Sequence, residues 1–178
     1  MKDYKKEGVI DGDLEIKGNL VLTGDLEVQG SIGVDGYIDC GAGWSIKAGE
    51  SIEAGGSIEA GGSIEAGGSI KAGWSIEAGG SIEAGWSIKA GESCGIAAGL
   101  SITCKGKLSF GLKAFAGICT WRDTEDEDKT ITCGKLENGT VEYGILKETG
   151  LEEKGLVGKT ATVEIDNKKY IAEIKEEK

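Results

Sequence analysis

Two kinds of side chain in this 178-residue sequence are spaced as if to do chemistry: carboxylates and indoles. Glu53, Glu59, Glu65, Glu77 and Glu83 stand at multiples of six residues from one another, and Trp44, Trp74 and Trp86 keep the same period at another phase. Asp123, Glu125, Asp126, Glu127 and Asp128 form a second, compact acidic group. Two carboxylates can run general acid–base hydrolysis, but such a pair is isolated in its site, whereas these glutamates recur by phase along the chain. The 123–128 run has the charge density of a calcium loop yet lacks the central Gly and terminal Glu of an EF-hand, so a solvated acidic loop is expected. Exposed indoles can anchor a partner protein. In a repeat they can also cover bare backbone at a neighbouring glycine.

Other routes to catalysis are closed by composition. The chain has no His, which removes the Ser-His-Asp triad, the Cys-His dyad and histidine metal ligands. Serines recur, but no His or Lys is placed by a motif to activate them. The glycines are spaced by six and do not form a phosphate-cradling loop. Cys40, Cys94, Cys104, Cys119 and Cys133 include no CxxC pair. A zinc site built from the four between 94 and 133 would need unusually wide spacings, and small buried apolar residues are the better expectation. No catalytic residue, metal site or cofactor is therefore expected.

Charge points to a binding role. The net charge is −11, and residues 1–92 hold 16 carboxylates against 7 lysines. With a single Arg, Arg122, the chain is poorly suited to contact nucleic acid directly. No apolar run approaches the roughly 18 residues of a membrane span. No targeting segment is visible, and an odd cysteine count fits a reducing cytoplasm, that of a bacterium or a phage-infected cell. The expected partner is a protein with a basic surface.

The elements that would position these groups come from a repeat. From Ser45 to Glu92 the chain reads SIKAGE SIEAGG SIEAGG SIEAGG SIKAGW SIEAGG SIEAGW SIKAGE, eight hexads without a slip. Six is a multiple of two, so every Ile and the Ala two residues later face one side of an extended strand, with Ser and Glu or Lys on the other. The last two positions make a corner, where Gly would accept positive φ. A helix would spread the period over its surface and lose about 1 kcal/mol at each Gly. A flexible linker has no use for an invariant Ile. A looser version runs earlier, with inward pairs Leu14/Ile16, Leu20/Leu22, Leu26/Val28, Ile32/Val34 and Ile38/Cys40, and a two-residue slip before Ser45. Further pairs are expected at Cys94/Ile96, Leu100/Ile102, a second slip, Leu108/Phe110, and then Ala114, Ala116 and Ile118. The change from large–large to Ile/Ala pairs suggests a cross-section that narrows towards the middle.

Eighteen residues per turn place Trp44 beside Gly62, Trp86 beside Gly68 and Trp74 beside Gly56, with one indole on each of three edges. Twelve would stack Trp74 on Trp86. The expected fold is thus an all-β, three-sided parallel β-helix of about 18 residues per turn. Residues 1–119 would form the solenoid with an N-terminal cap over residues 1–11. Residues 120–178 would form a small antiparallel module of two hairpins, one turning at Asn138-Gly139 and one near Asp166-Asn167.

The run GDLEIKGNLVLTGDLEVQGSIGVDG resembles the hexads of bactofilins and related polymer-forming β-helix proteins, over roughly residues 8–118. The resemblance implies a right-handed coil and, as an alternative function, a self-assembling scaffold and homo-oligomer. Acyltransferase-type hexapeptide coils differ, since their small inward residue precedes the large one and they use a His. By analogy, a rigid acidic coil can imitate the charge of a nucleic acid duplex and block a nucleic-acid-binding protein, as anti-CRISPR and other DNA-mimic inhibitors do.

Overall fold

A computed structural model describes residues 2–151 in full and the strands Thr160–Ile165 and Lys168–Glu173 by their backbone. Each hexad forms a three-residue strand and a bend, from Ile46–Ala48 through Ile82–Ala84. The strands pair in parallel with the strand three hexads away. Ile46 lies beside Ile64, Ile52 beside Ile70 and Ile58 beside Ile76, a turn of 18 residues. The result is a three-sided β-solenoid of about eight turns. Among the described residues there is no helix.

The core follows the pattern. The inward pairs from Leu14/Ile16 to Ile38/Cys40 and the Ile/Ala pairs after them are all buried, as are Leu108, Phe110, Ala114 and Ala116. Each fully buried Ile contributes on the order of 2 kcal/mol. Backbone bonds then tie coil to coil: Ile64 N–H donates to Ser81 O at 3.0 Å, and Gly85 N–H to Ala66 O at 2.9 Å. The invariant Ser has a task that simple outward placement does not reveal. Its half-buried hydroxyl accepts the backbone N–H of the Ser one coil later, Ser63 onto Ser45 at 3.0 Å and Ser81 onto Ser63 at 3.1 Å.

Glycine's role at the corners differs from the one expected. None of the hexad glycines has positive φ. They are needed because adjacent coils approach too closely for a side chain. A Cβ on Gly79 would fall on the carbonyl oxygen of Gly61, and one on Gly85 on that of Gly67. At the sixth hexad position the crowding is different: a Cβ on Gly80 would meet the rotatable Ser63 hydroxyl first and backbone only at 3.2 Å. That position accordingly carries Trp74, Trp86, Glu50 and Glu92 elsewhere in the repeat.

Several boundaries are corrected. The second slip falls at 91–95, where an extra pair of residues is looped out, so the inward pairs are Ile96/Ala98 and Ile102/Cys104. Cys94 and Leu100 are only half-buried, and Ile118 is exposed. Residues 3–10 form a first strand parallel to Asn19–Val28, thereby completing a coil. The hairpin expected at Asn138-Gly139 is replaced by a further turn of solenoid. Thr130–Cys133, Lys135–Tyr143 and Ile145–Glu148 all add in parallel to earlier coils, extending the solenoid to Glu148. Gly139, at φ 97°, lies over the Phe110 ring, where a Cβ would collide, and the pairing with Lys107–Ala116 shifts register there and continues beyond it. The second hairpin does pair in antiparallel fashion, with Val163 opposite Tyr170 and Ala161 opposite Ala172. Its turn at Asp166-Asn167 lies outside the described residues, as does the facing of its side chains.

Two corner substitutions separate these roles. Gly79→Ala should lower the denaturation midpoint by the equivalent of about 1–3 kcal/mol, because backbone must move. Gly80→Ala should cost less, about 1 kcal/mol, because the first clash is with the Ser63 hydroxyl, which gives up its bond from Ser81 N–H to make room. Equal costs from chemical denaturation would contradict the close-approach account.

Candidate functional site

The middle residue of each strand points outward, so the coils stack these residues in three columns. One face carries Glu15, Gly33, Glu53, Lys71, Lys89 and Ser109. A second carries Glu27, Lys47, Glu65, Glu83 and Thr103. The third carries Lys5, Val21, Asp39, Glu59, Glu77, Ala97 and Phe115. Lysines interrupt the first two columns. Glu53 is an ion-pair partner of Lys71 at 3.6 Å, and Lys47 separates Glu27 from Glu65.

The third face is different. Asp39, Glu59 and Glu77 sit on successive coils with no lysine among them. Parallel strands are about 4.8 Å apart, so three carboxylates span only about 10 Å. Partial burial, Glu77 and Asp39, in that order, push the Glu59 carboxyl above its ordinary range. Two shallow grooves flank this ladder. One, of about 530 Å³, is lined by Trp74, Tyr37, Asp35, Asp39 and Glu59. The other, of about 380 Å³, is lined by Asp39, Glu59, Glu77, Ala97 and Ile118. Trp74 is 65 % exposed at the rim of the first. The face thus combines a carboxylate ladder with aromatic and aliphatic margins.

The remaining candidates do not converge there. Trp44, Trp74 and Trp86 stand on three different edges, as the 18-residue turn requires. Each is a backbone neighbour of a corner glycine: Gly62 N–H donates to Trp44 O at 2.8 Å, Trp74 N–H to Gly56 O at 3.2 Å, and Trp86 N–H to Gly68 O at 2.9 Å. Glu65 and Glu83 lie on the lysine-interrupted face. Asp123, Glu125, Asp126, Glu127 and Asp128 belong to a loop that closes on itself. There Asp128 accepts from Arg122 Nη2 at 2.7 Å and from Glu125 N–H at 3.1 Å, and the Arg122 bond holds its carboxyl below the usual range. Thr130 Oγ1 donates to Asp126 O at 2.8 Å. Asp35, Tyr37, Asp39 and Ile118 were not among the sequence candidates. Asp39 was within reach: it is the middle residue of the strand Ile38–Cys40, once the slip after Cys40 is carried through the column.

The three buried thiols are poor nucleophiles. Burial, with Asp39 and Asp25 nearby, pushes Cys40 up to about 12. Burial beside Cys133 pushes Cys104 up to about 12, and burial beside Glu148 pushes Cys133 up to about 11. Comparison with protein-family models, with curated proteins and with solved structures gives no match. What the fold and surface define is a class, a parallel β-solenoid with three carboxylates stacked in register on one face.

Two measurements follow. For Glu59 the folded pKa lies above the unfolded one, so between them the folded chain binds more protons. That group's contribution to stability therefore falls as pH rises through this window and recovers on acidification. Glu59→Gln should raise the melting temperature at neutral pH, by the equivalent of about 0.2–1 kcal/mol for relief of a like-charge cross-strand pair. The gain should shrink towards pH 4.5, the ordinary glutamate value, and in high salt. A gain independent of pH would contradict the repulsion. Second, a thiol reagent at pH 8 should modify the half-buried Cys94 and Cys119 in the folded protein, and Cys40, Cys104 and Cys133 only after unfolding.

Proposed function

We propose that this is a non-enzymatic binding protein whose acidic face occupies a basic surface of a protein partner. The observation that carries the reading is the in-register ladder Asp39–Glu59–Glu77, three carboxylates on successive coils with no lysine between them, whereas Lys71 stands beside Glu53 on the first face and Lys47 between Glu27 and Glu65 on the second. Like charges at strand spacing cost stability unless a cation offsets them, and a partner's Lys or Arg side chains would do so. Trp74 and Tyr37 add amphipathic contact area beside the ladder, of the kind that anchors protein interfaces.

One partner class suited to this face is a nucleic-acid-binding protein, blocked in the manner of DNA-mimic or anti-CRISPR inhibitors. A DNA strand presents a phosphate every 3.4 Å or so of axis. A ladder at about 4.8 Å is sparser but of the same order. Mimicry would be confined to one face and about three coils, so the rod as a whole is not a duplex surrogate. A self-assembling scaffold in the manner of bactofilins is the alternative, favoured by the strand Ile145–Glu148, which among the described residues pairs on one edge alone, with Thr130–Cys133.

The test uses the immobilised chain and a variant carrying Asp39→Asn, Glu59→Gln and Glu77→Gln, each exposed to lysate of the source cell or its host. A partner retained by the first should be lost from the second, and lost again at about 0.5 M salt, where exposed charge contacts are screened. Trp74→Gly should weaken the same retention without unfolding, since Gly stands at the equivalent corner, Gly56. An identical set of proteins on both matrices would overturn the reading. Filaments or concentration-dependent growth in light scattering would favour the scaffold instead.

A further inference from the structure

The C-terminal end of the solenoid is open in two senses. Among the described residues, Ile145–Glu148 pairs only with Thr130–Cys133, and Lys135–Tyr143 only with Lys107–Ala116. Ile145 N–H and Thr149 N–H point back into the coil, donating to Lys129 O at 2.7 Å and Cys133 O at 2.9 Å. Because backbone groups alternate along a strand, the N–H and C=O groups of Leu146 and Glu148 point outward, where a next coil would lie. One outward donor is already covered: Leu136 N–H is held by the Glu148 carboxylate at 2.6 Å. The same end exposes Tyr143, Ile145, Leu146 and Leu151. Unpaired strand edges with apolar flanks invite pairing with another chain.

The chain carries its own candidate cover. Thr160–Ile165 and Lys168–Glu173 form a two-stranded antiparallel sheet separate from the solenoid. A hairpin of this kind is at best marginally stable alone in water. Its apolar residues alternate, at 161, 163 and 165, and in the register Ala161 and Val163 fall opposite Ala172 and Tyr170. Thr160 follows Leu151 by nine positions, a reach of at most ~30 Å. The first and last coils are separated by ~34 Å at strand spacing, so the near end is within reach and the far end is not.

We propose that the 160–173 hairpin lies against the last coil and covers the Ile145–Glu148 edge, closing the solenoid to a second copy. The inference is independent of the acidic face. Hydrogen exchange on the full-length protein tests it, with Val163→Asp/Tyr170→Asp as the comparison and Ile64 and Ile82 amides as the control for an intact coil. In the unaltered chain the Leu146 and Glu148 amides should exchange at least about tenfold more slowly than in the variant, at every protein concentration. Fast exchange of these amides in the unaltered chain overturns the proposal, whatever the variant does. So do equal rates in the two proteins. Protection that grows with protein concentration would assign the edge to a second copy instead.

Discussion

The contact on which the rest of this structure depends is the approach of one corner to the corner a turn earlier. Gly79 over the Gly61 carbonyl, and Gly85 over that of Gly67, bring adjacent coils close enough that no Cβ fits between them. That closeness keeps the register at 18 residues across the regular stretch. With the register set, each Ile of the regular stretch stacks on an Ile, the hydroxyls of Ser45, Ser51, Ser63 and Ser69 meet the N–H of the Ser one coil later, and the outward residues fall into three columns. A shift of one residue would turn the Ile row to solvent and dissolve all of these at once.

Interruptions are tolerated where they respect that register. The loops at 41–44 and 91–95 each add a pair of residues at a corner, and the strands on either side still pair Ile with Ile, as with Ile38 and Ile58 or Ile76 and Ile96. The longer 117–129 loop does the same at the corner shared with Trp44, held by Arg122, Asp128 and Thr130. Insertions at a corner leave the ladder bonds intact, so their cost is loop closure, which rises only slowly with length.

Much of this was legible before any coordinates. A strict six-residue period with invariant Ile exposed the fold, and the spacing of Trp44, Trp74 and Trp86 selected the turn length. What could not be read was anything set by contact between distant coils. The corner glycines look like positive-φ residues until the preceding carbonyl is seen beneath them. Asn138-Gly139 carries a strong hairpin signal, and only the parallel pairing of the segments on both sides of it with Lys107–Ala116 shows that the chain goes on around the coil. The second slip was placed after Ile102, beyond its true position at 91–95, because Cys94/Ile96 and Ile96/Ala98 satisfy the same alternation. The acidic candidates are legible residue by residue, but the stacking of three carboxylates in one column depends on the slip between Cys40 and Ser45, which brings Asp39 into line with Glu59.

That stacking bears on function more than the net charge does. In the eight strict hexads the third position is Lys at 47, 71 and 89 and Glu at the other five. Folded three hexads to a turn, the lysines enter two faces and leave Glu59 and Glu77 together on the third, continuous with Asp39. Solubility alone would be served by any mixed arrangement of charges. A lysine at 59 or 77 would place opposite charges across neighbouring strands where Glu59 and Glu77 now repel each other. The proposed partner would offset that local cost on the coils where no lysine stands between the carboxylates. Its contacting groups would be cationic, on a surface able to meet three stacked carboxylates and the indole of Trp74 together.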